Sequence, residues 1–138
     1  KFFTLVLFNY AFSNGDAHLK NFALLETESG DYFLSPAYDL INTRMHVDDA
    51  GFALDKGLFA DDFQSDAFKK TRHRNREDFL EFGRRIGIDE KRAGKLITPF
   101  LIKQDKVEQL VQRSFLNGAA RRAYLLDYSA KRNSLNKV

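Results

Sequence analysis

The sequence predicts a mainly α fold with one small antiparallel β-hairpin (α+β), and three observations carry that prediction. A nearly unbroken apolar run, Phe2 to Phe12, opens the chain. Two short aromatic and aliphatic runs, Phe22 to Leu25 and Tyr32 to Leu34, flank a polar hexapeptide. From Asn75 onward, capping residues recur ahead of stretches with helical apolar spacing. The chain has 138 residues, 43% hydrophobic and 14% aromatic, enough to bury one sizeable core, so residues 1–138 are read as a single domain.

Periodicity alone does not separate helix from buried strand in the opening run; its length favours helix. Ser13-Asn14-Gly15 ends it, Gly15 being free to take a positive φ. Glu26 to Asp31 reads as the loop of the hairpin. Pro36 forbids a continuing central strand, so the chain leaves the sheet just before Tyr38-Asp39-Leu40. Between Ile41 and Lys70 the pattern is weak, with one candidate strand at Phe52 to Leu54 in a longer connection.

The remainder reads as helical. Asn75 caps a helix through Arg85 or Ile86, Asp78 suits its first turn and Gly87 its stop. Asp89 caps the next segment, in which Leu96, Ile97, Phe100, Leu101, Val107, Leu110 and Val111 keep a helical period. Pro99 and Lys103 to Asp105 divide that segment into two helices. Asn117 caps a last helix with Tyr124, Leu125 and Tyr128 facing in and Arg121, Arg122, Lys131 and Arg132 facing out.

Composition narrows the function classes. With no cysteine, nothing depends on disulfides or thiolate-held metals, and a cytoplasmic, reducing setting is expected. The opening run is too short to span a bilayer and is interrupted by Asn9, so no membrane partner is expected. Because residue 1 is Lys and the run has no polar lead-in, the natural N-terminus is expected upstream. The net charge of +3 and pI near 9.2 are a small basic excess. It is segregated: Asp48, Asp49, Asp55, Asp61, Asp62 and Asp66 precede Lys69, Lys70, Arg72, His73, Arg74 and Arg76. This reads as an exposed, solvated connection, with a substrate or nucleic-acid surface as the alternative.

The chemistry concentrates in Asn14-Gly15-Asp16-Ala17-His18-Leu19-Lys20-Asn21 and, beyond the hairpin, Ser35-Pro36-Ala37-Tyr38-Asp39-Leu40. Phosphoryl transfer to a hydroxyl needs a carboxylate that orients the nucleophile and takes its proton, and oxygen ligands for the metal that neutralises the phosphates. Asp16 suits the first task. Asn21, five residues on, can offer its carbonyl oxygen to Mg²⁺, in the Asp-x-x-x-x-Asn spacing of kinase loops. Asp39 supplies a metal carboxylate from another direction, since the hairpin returns the chain to the loop. His18 is expected to brace the loop by hydrogen bonds. Lys20 either touches a transferring phosphate or pairs with a nearby carboxylate. Asn14 reads as a turn former, and Arg44, His46 and Asp48 as solvent-exposed.

At Asp16, His18, Lys20, Asn21 and Asp39 the chain resembles the HipA family of bacterial toxin kinases, in which an Asp-x-His-x-Lys-Asn loop is followed, after a hairpin, by a Tyr-Asp-Leu metal-binding segment. The resemblance implies an ATP- and Mg²⁺-dependent serine/threonine kinase acting on a protein substrate, built as a two-lobed fold of which this is the helical C-terminal lobe. It also implies Asp16, His18 and Lys20 as the catalytic set, with Lys20, Asn21 and Asp39 at the nucleotide and its metal. A small helix-turn-helix antitoxin of HipB type is the implied partner, with DNA reached only through it. The glycine-rich phosphate loop and the ATP-contacting lysine belong upstream, so these residues alone are expected to bind ATP weakly. Two other readings stay open: a small-molecule phosphotransferase of the aminoglycoside or choline kinase type, and a non-catalytic module docking an antitoxin or DNA.

Overall fold

The computed structural model describes residues 1–49, 51–54 and 58–137. Among them the chain forms α1 (Phe2–Ala11), β1 (Leu24–Glu26), β2 (Tyr32–Leu34), α2 (Asp66–Thr71), α3 (Arg76–Arg85), α4 (Glu90–Leu101), α5 (Asp105–Arg113) and α6 (Gly118–Asn136). Short 3-10 turns lie at Leu19–Asn21 and Thr43–Met45. β1 and β2 pair antiparallel, Leu25 opposite Phe33. The result is mainly helical with one two-stranded sheet, the α+β class expected.

α1 is apolar nearly all round because it is covered on several sides, as a central helix must be. Phe3, Val6, Leu7 and Tyr10 enter one cluster with Phe79 and Phe82 of α3, Ala93 and Ile97 of α4, and Leu135 of α6. Phe3 stacks on Phe82, while Phe2 meets Phe22 at the foot of the hairpin with ring centroids 5.0 Å apart. Phe12 stacks on Tyr128 of α6. One helix thus anchors both the bundle and the start of the hairpin. No helix among the described residues is long and apolar enough to cross a membrane.

The α2–α3 junction is tied by a buried ion pair. The Asn75 carboxamide accepts from the Glu77 and Asp78 amides, and Asp78 Oδ2 accepts the Asn75 amide at 3.0 Å, a reciprocal cap for α3. Asp78 Oδ1 lies 3.4 Å from Arg74 Nη1, and the Arg74 guanidinium sits 3.9 Å from the Phe68 ring centroid. The Arg74 carbonyl accepts from the Tyr10 hydroxyl of α1 and the Ser134 hydroxyl of α6. Four helices meet here.

Several expectations are corrected. Arg74 is buried at this junction, so it is no part of an exposed basic surface, although Arg72 and His73 are exposed. Lys131 does not face out: it is buried with its ammonium 4.6 Å from the Tyr10 ring centroid, where a cation gains from the π face. Phe52 to Leu54 is a turn rather than a strand, and Phe52 enters the core cluster. α2 was not foreseen in the weakly patterned stretch. Ser65 caps it by accepting the Phe68 amide, but its stop is Arg72 at φ 58°, a left-handed position where glycine is the usual signal. Asp55, counted in the acidic run, lies outside the described residues.

A charged cluster fastens the connection to α3 and sets a pH dependence. Glu81 accepts from Arg84 at 2.7 and 2.8 Å and from Arg85 at 2.6 Å, while Arg85 also reaches Asp61 at 2.6 Å. The guanidinium bonds hold the Glu81 carboxyl down from 4.5 to about 2. A pKa depressed by folding contributes stability that is fully present above the unfolded value and is lost as pH falls toward the folded one. Glu81→Gln is therefore expected to destabilise the protein at neutral pH, with its gap from wild type closing between pH 4.5 and about 2 in acid-unfolding curves. A gap independent of pH would contradict the assignment.

Candidate active site

The site is built where α1 ends. Ser13 takes a left-handed φ of 54° and its amide bonds the Tyr10 carbonyl, turning the chain out of the helix. Asn14 follows, buried, and its carboxamide ties three segments together. Its Nδ2 donates to Asn9 Oδ1 of α1 at 3.2 Å and to the Asp39 carbonyl at 2.9 Å, while its Oδ1 accepts the Asp16 amide at 3.2 Å. The side chain read from sequence as a turn former is the fastener between the loop and the segment beyond the hairpin. A signal was present: Asn9 is a polar residue inside an apolar helix, and a buried amide demands a partner.

The hairpin closes the site as expected. Asn21 ends the 3-10 turn and Asp39 follows Pro36 on the far side; Asn21 Nδ2 donates to Asp39 Oδ2 at 2.9 Å. The Tyr38 hydroxyl donates to the Lys20 carbonyl at 2.8 Å, a second strut that sequence reasoning missed. Asp39 has φ 55°, in the left-handed region that aspartate tolerates better than most residues. It caps no helix, since the following 3-10 turn has Asn42 at its N-cap.

With Nδ2 committed to Asp39, the Asn21 Oδ1 is left buried without a hydrogen-bond partner among the described residues. A buried carbonyl oxygen without a donor costs free energy unless something else satisfies it. A hard cation is one such partner. Mg²⁺ takes oxygen ligands and is commonly held by one or two carboxylates together with substrate phosphates and water. The donor set fits: an amide oxygen beside a carboxylate. Among the described residues, no group of three or more His, Cys, Asp and Glu side chains is placed to hold a metal without such help.

Asp16 is exposed, one residue beyond the Gly15 amide, which donates to Thr43 Oγ1 at 2.8 Å. Its backbone is held at both ends, the amide by Asn14 and the carbonyl by the His18 amide at 2.7 Å. This leaves the Asp16 carboxylate facing solvent on a fixed backbone. His18 and Lys20 are also exposed, and neither side chain makes a hydrogen bond or ion pair among the described residues. The bracing expected of His18 is done by Asn14, and Lys20 pairs with no described carboxylate. Arg44, His46 and Asp48 are exposed as read, Arg44 lying 3.9 Å from Asp127 of α6.

Comparison with known proteins bears on these residues. A family model described as the HipA-like C-terminal domain matches residues 1–113, which covers the loop, the hairpin, Asp39 and α1 to α5. The chain is also 27% identical over 121 residues to a Haemophilus influenzae protein named "Putative kinase". That match covers 83% of this chain and 35% of the relative, so the chain spans about a third of the relative's length.

Proposed function

Because the chain belongs to the HipA-like C-terminal domain family, we propose that it carries the catalytic loop and metal carboxylate of a kinase that moves the γ-phosphoryl group of ATP to a serine or threonine hydroxyl of a protein. The observation that carries this reading is the Asn21–Asp39 pair, 18 residues apart in sequence and hydrogen-bonded at 2.9 Å, with Asn21 Oδ1 left over. Asn21 Oδ1 and the Asp39 carboxylate would hold Mg²⁺, which when bound neutralises charge on the β- and γ-phosphates.

The chain's own residues divide the remaining work. The Asp16 carboxylate accepts the hydrogen bond of the acceptor hydroxyl and takes its proton as the oxygen bonds to the γ-phosphorus; the bond from phosphorus to the β–γ bridging oxygen breaks and ADP leaves. Asn14 keeps the Asp16 backbone and Asp39 in one frame, so that hydroxyl and phosphate meet in a defined orientation. Lys20, exposed and one residue from Asn21, supplies positive charge toward the transferring phosphate. The glycine-rich loop and the lysine that hold ATP are assigned to residues outside this chain, in keeping with the greater length of the Haemophilus relative.

The family resemblance further supports a toxin kinase in the cytoplasm, restrained by a helix-turn-helix antitoxin and touching DNA only through it. A phosphotransferase for a small molecule shares the Asp16–Asn21 spacing and is the second reading. The docking-module reading loses Arg74 from the basic run at residues 69–76, since Arg74 is internal. Full-length protein incubated with ATP and Mg²⁺ and analysed by mass spectrometry is expected to carry phosphoserine or phosphothreonine, on itself or on an added lysate protein. A phosphorylated metabolite without phosphoprotein would transfer the assignment to the second reading, and neither product would refute both.

A further inference from the structure

The segment that follows Asp39 returns to the catalytic loop and grips it at two points. Thr43 is the first: its hydroxyl accepts the Gly15 amide at 2.8 Å and donates to the Ser13 carbonyl at 3.2 Å, and its own amide donates to that carbonyl at 3.1 Å. Asp49 is the second. Its carboxylate occupies the space a side chain at Gly15 would need; a Cβ built there would lie 2.6 Å from the carboxylate carbon. The other side of that carboxylate is fixed, because Asp49 Oδ1 accepts the Gly51 amide at 2.7 Å. Gly51, at φ 62°, lies so close to Arg44 and Ser13 that a Cβ would come 2.7 Å from Arg44 Cδ. Gly15 thus leaves room for Asp49, and Gly51 for Arg44 and Ser13.

Asp49 makes no ion pair among the described residues, and the hydrogen bond its carboxylate accepts comes from a backbone amide. From sequence it was one of six aspartates in an acidic run with no distinct task. We propose that Asp49 is a positioning residue for Asp16: by filling the space at Gly15 while bonding the Gly51 amide, it holds the loop backbone one residue before the proton acceptor. This deepens the kinase reading and rests on it for the role of Asp16. Shape and hydrogen-bond acceptance carry the effect, not charge, so Asp49→Asn is expected to preserve it and Asp49→Ala to remove it. Gly15→Ala, which must displace the carboxylate, is expected to act like Asp49→Ala.

Two readouts on full-length protein test this. Amide hydrogen exchange over residues 14–17 is expected to quicken in Asp49→Ala and Gly15→Ala and to match wild type in Asp49→Asn. In the phosphoryl-transfer assay, Asp49→Ala is expected to lower kcat about tenfold to 100-fold, the scale of a misplaced reacting group, with the KM for ATP and the melting temperature unchanged. Exchange unaltered in both Asp49→Ala and Gly15→Ala overturns the proposal whether or not the protein is a kinase. So does a wild-type kcat in Asp49→Ala despite faster exchange, or an Asp49→Asn variant as impaired as Asp49→Ala. Absence of transfer by the wild-type protein refutes the kinase reading and with it any role for Asp49 in catalysis.

Discussion

Asp16→Asn in the full-length protein is expected to lower the rate of phosphoryl transfer by about 10²- to 10⁴-fold, the usual contribution of a positioned general base. The carboxamide retains the shape of the side chain but cannot take the hydroxyl proton. The Asp16 side chain is exposed and its backbone bonds run through the amide and carbonyl, so the substitution leaves the fold's hydrogen bonds in place. The melting temperature should therefore hold, and the KM for ATP with it. A variant that retained more than about a tenth of wild-type kcat would remove Asp16 from the role of proton acceptor.

The largest expected effect on stability lies at the α2–α3 junction. Asp78→Ala removes the buried carboxylate 3.4 Å from Arg74 Nη1, and breaking a buried pair from one side typically costs about 3–5 kcal/mol. Both side chains are almost fully enclosed, at 4% and 0% exposure, so water cannot repair the loss. Asp78 also accepts the Asn75 and Ser65 amides, and those donors lose their acceptor too. Denaturant unfolding at neutral pH measures the loss. A variant within about 1 kcal/mol of wild type would mean that the Asp78 carboxylate is not what stabilises the junction.

The sequence made the local devices readable and the long-range ones obscure. Asn75, Asp89 and Asn117 cap α3, α4 and α6 as expected, because a cap depends only on residues within one turn. The hairpin was equally legible, since a polar loop between two apolar runs is a local pattern. What failed involved partners far along the chain. Lys131 reads as a surface cation on α6 until Tyr10, more than a hundred residues earlier, is placed beneath it. Arg74 reads as one of a basic group until Tyr10 and Ser134, 64 and 60 residues away, bind its carbonyl in the interior. In the site, the Asp16–Asn21 spacing and the return to Asp39 were visible, yet the fastening roles of Asn14, Tyr38, Thr43 and Asp49 were not read, because a fastener is defined by the two segments it joins.

The most direct test of the central claim is an anomalous-scattering map from crystals of the full-length protein grown with Mn²⁺ and a non-hydrolysable ATP analogue. The account predicts a metal peak about 2 Å from both Asn21 Oδ1 and the Asp39 carboxylate, with the Asp16 carboxylate facing the analogue's terminal phosphate. A peak that engages neither Asn21 nor Asp39, or a terminal phosphate remote from Asp16, would contradict it.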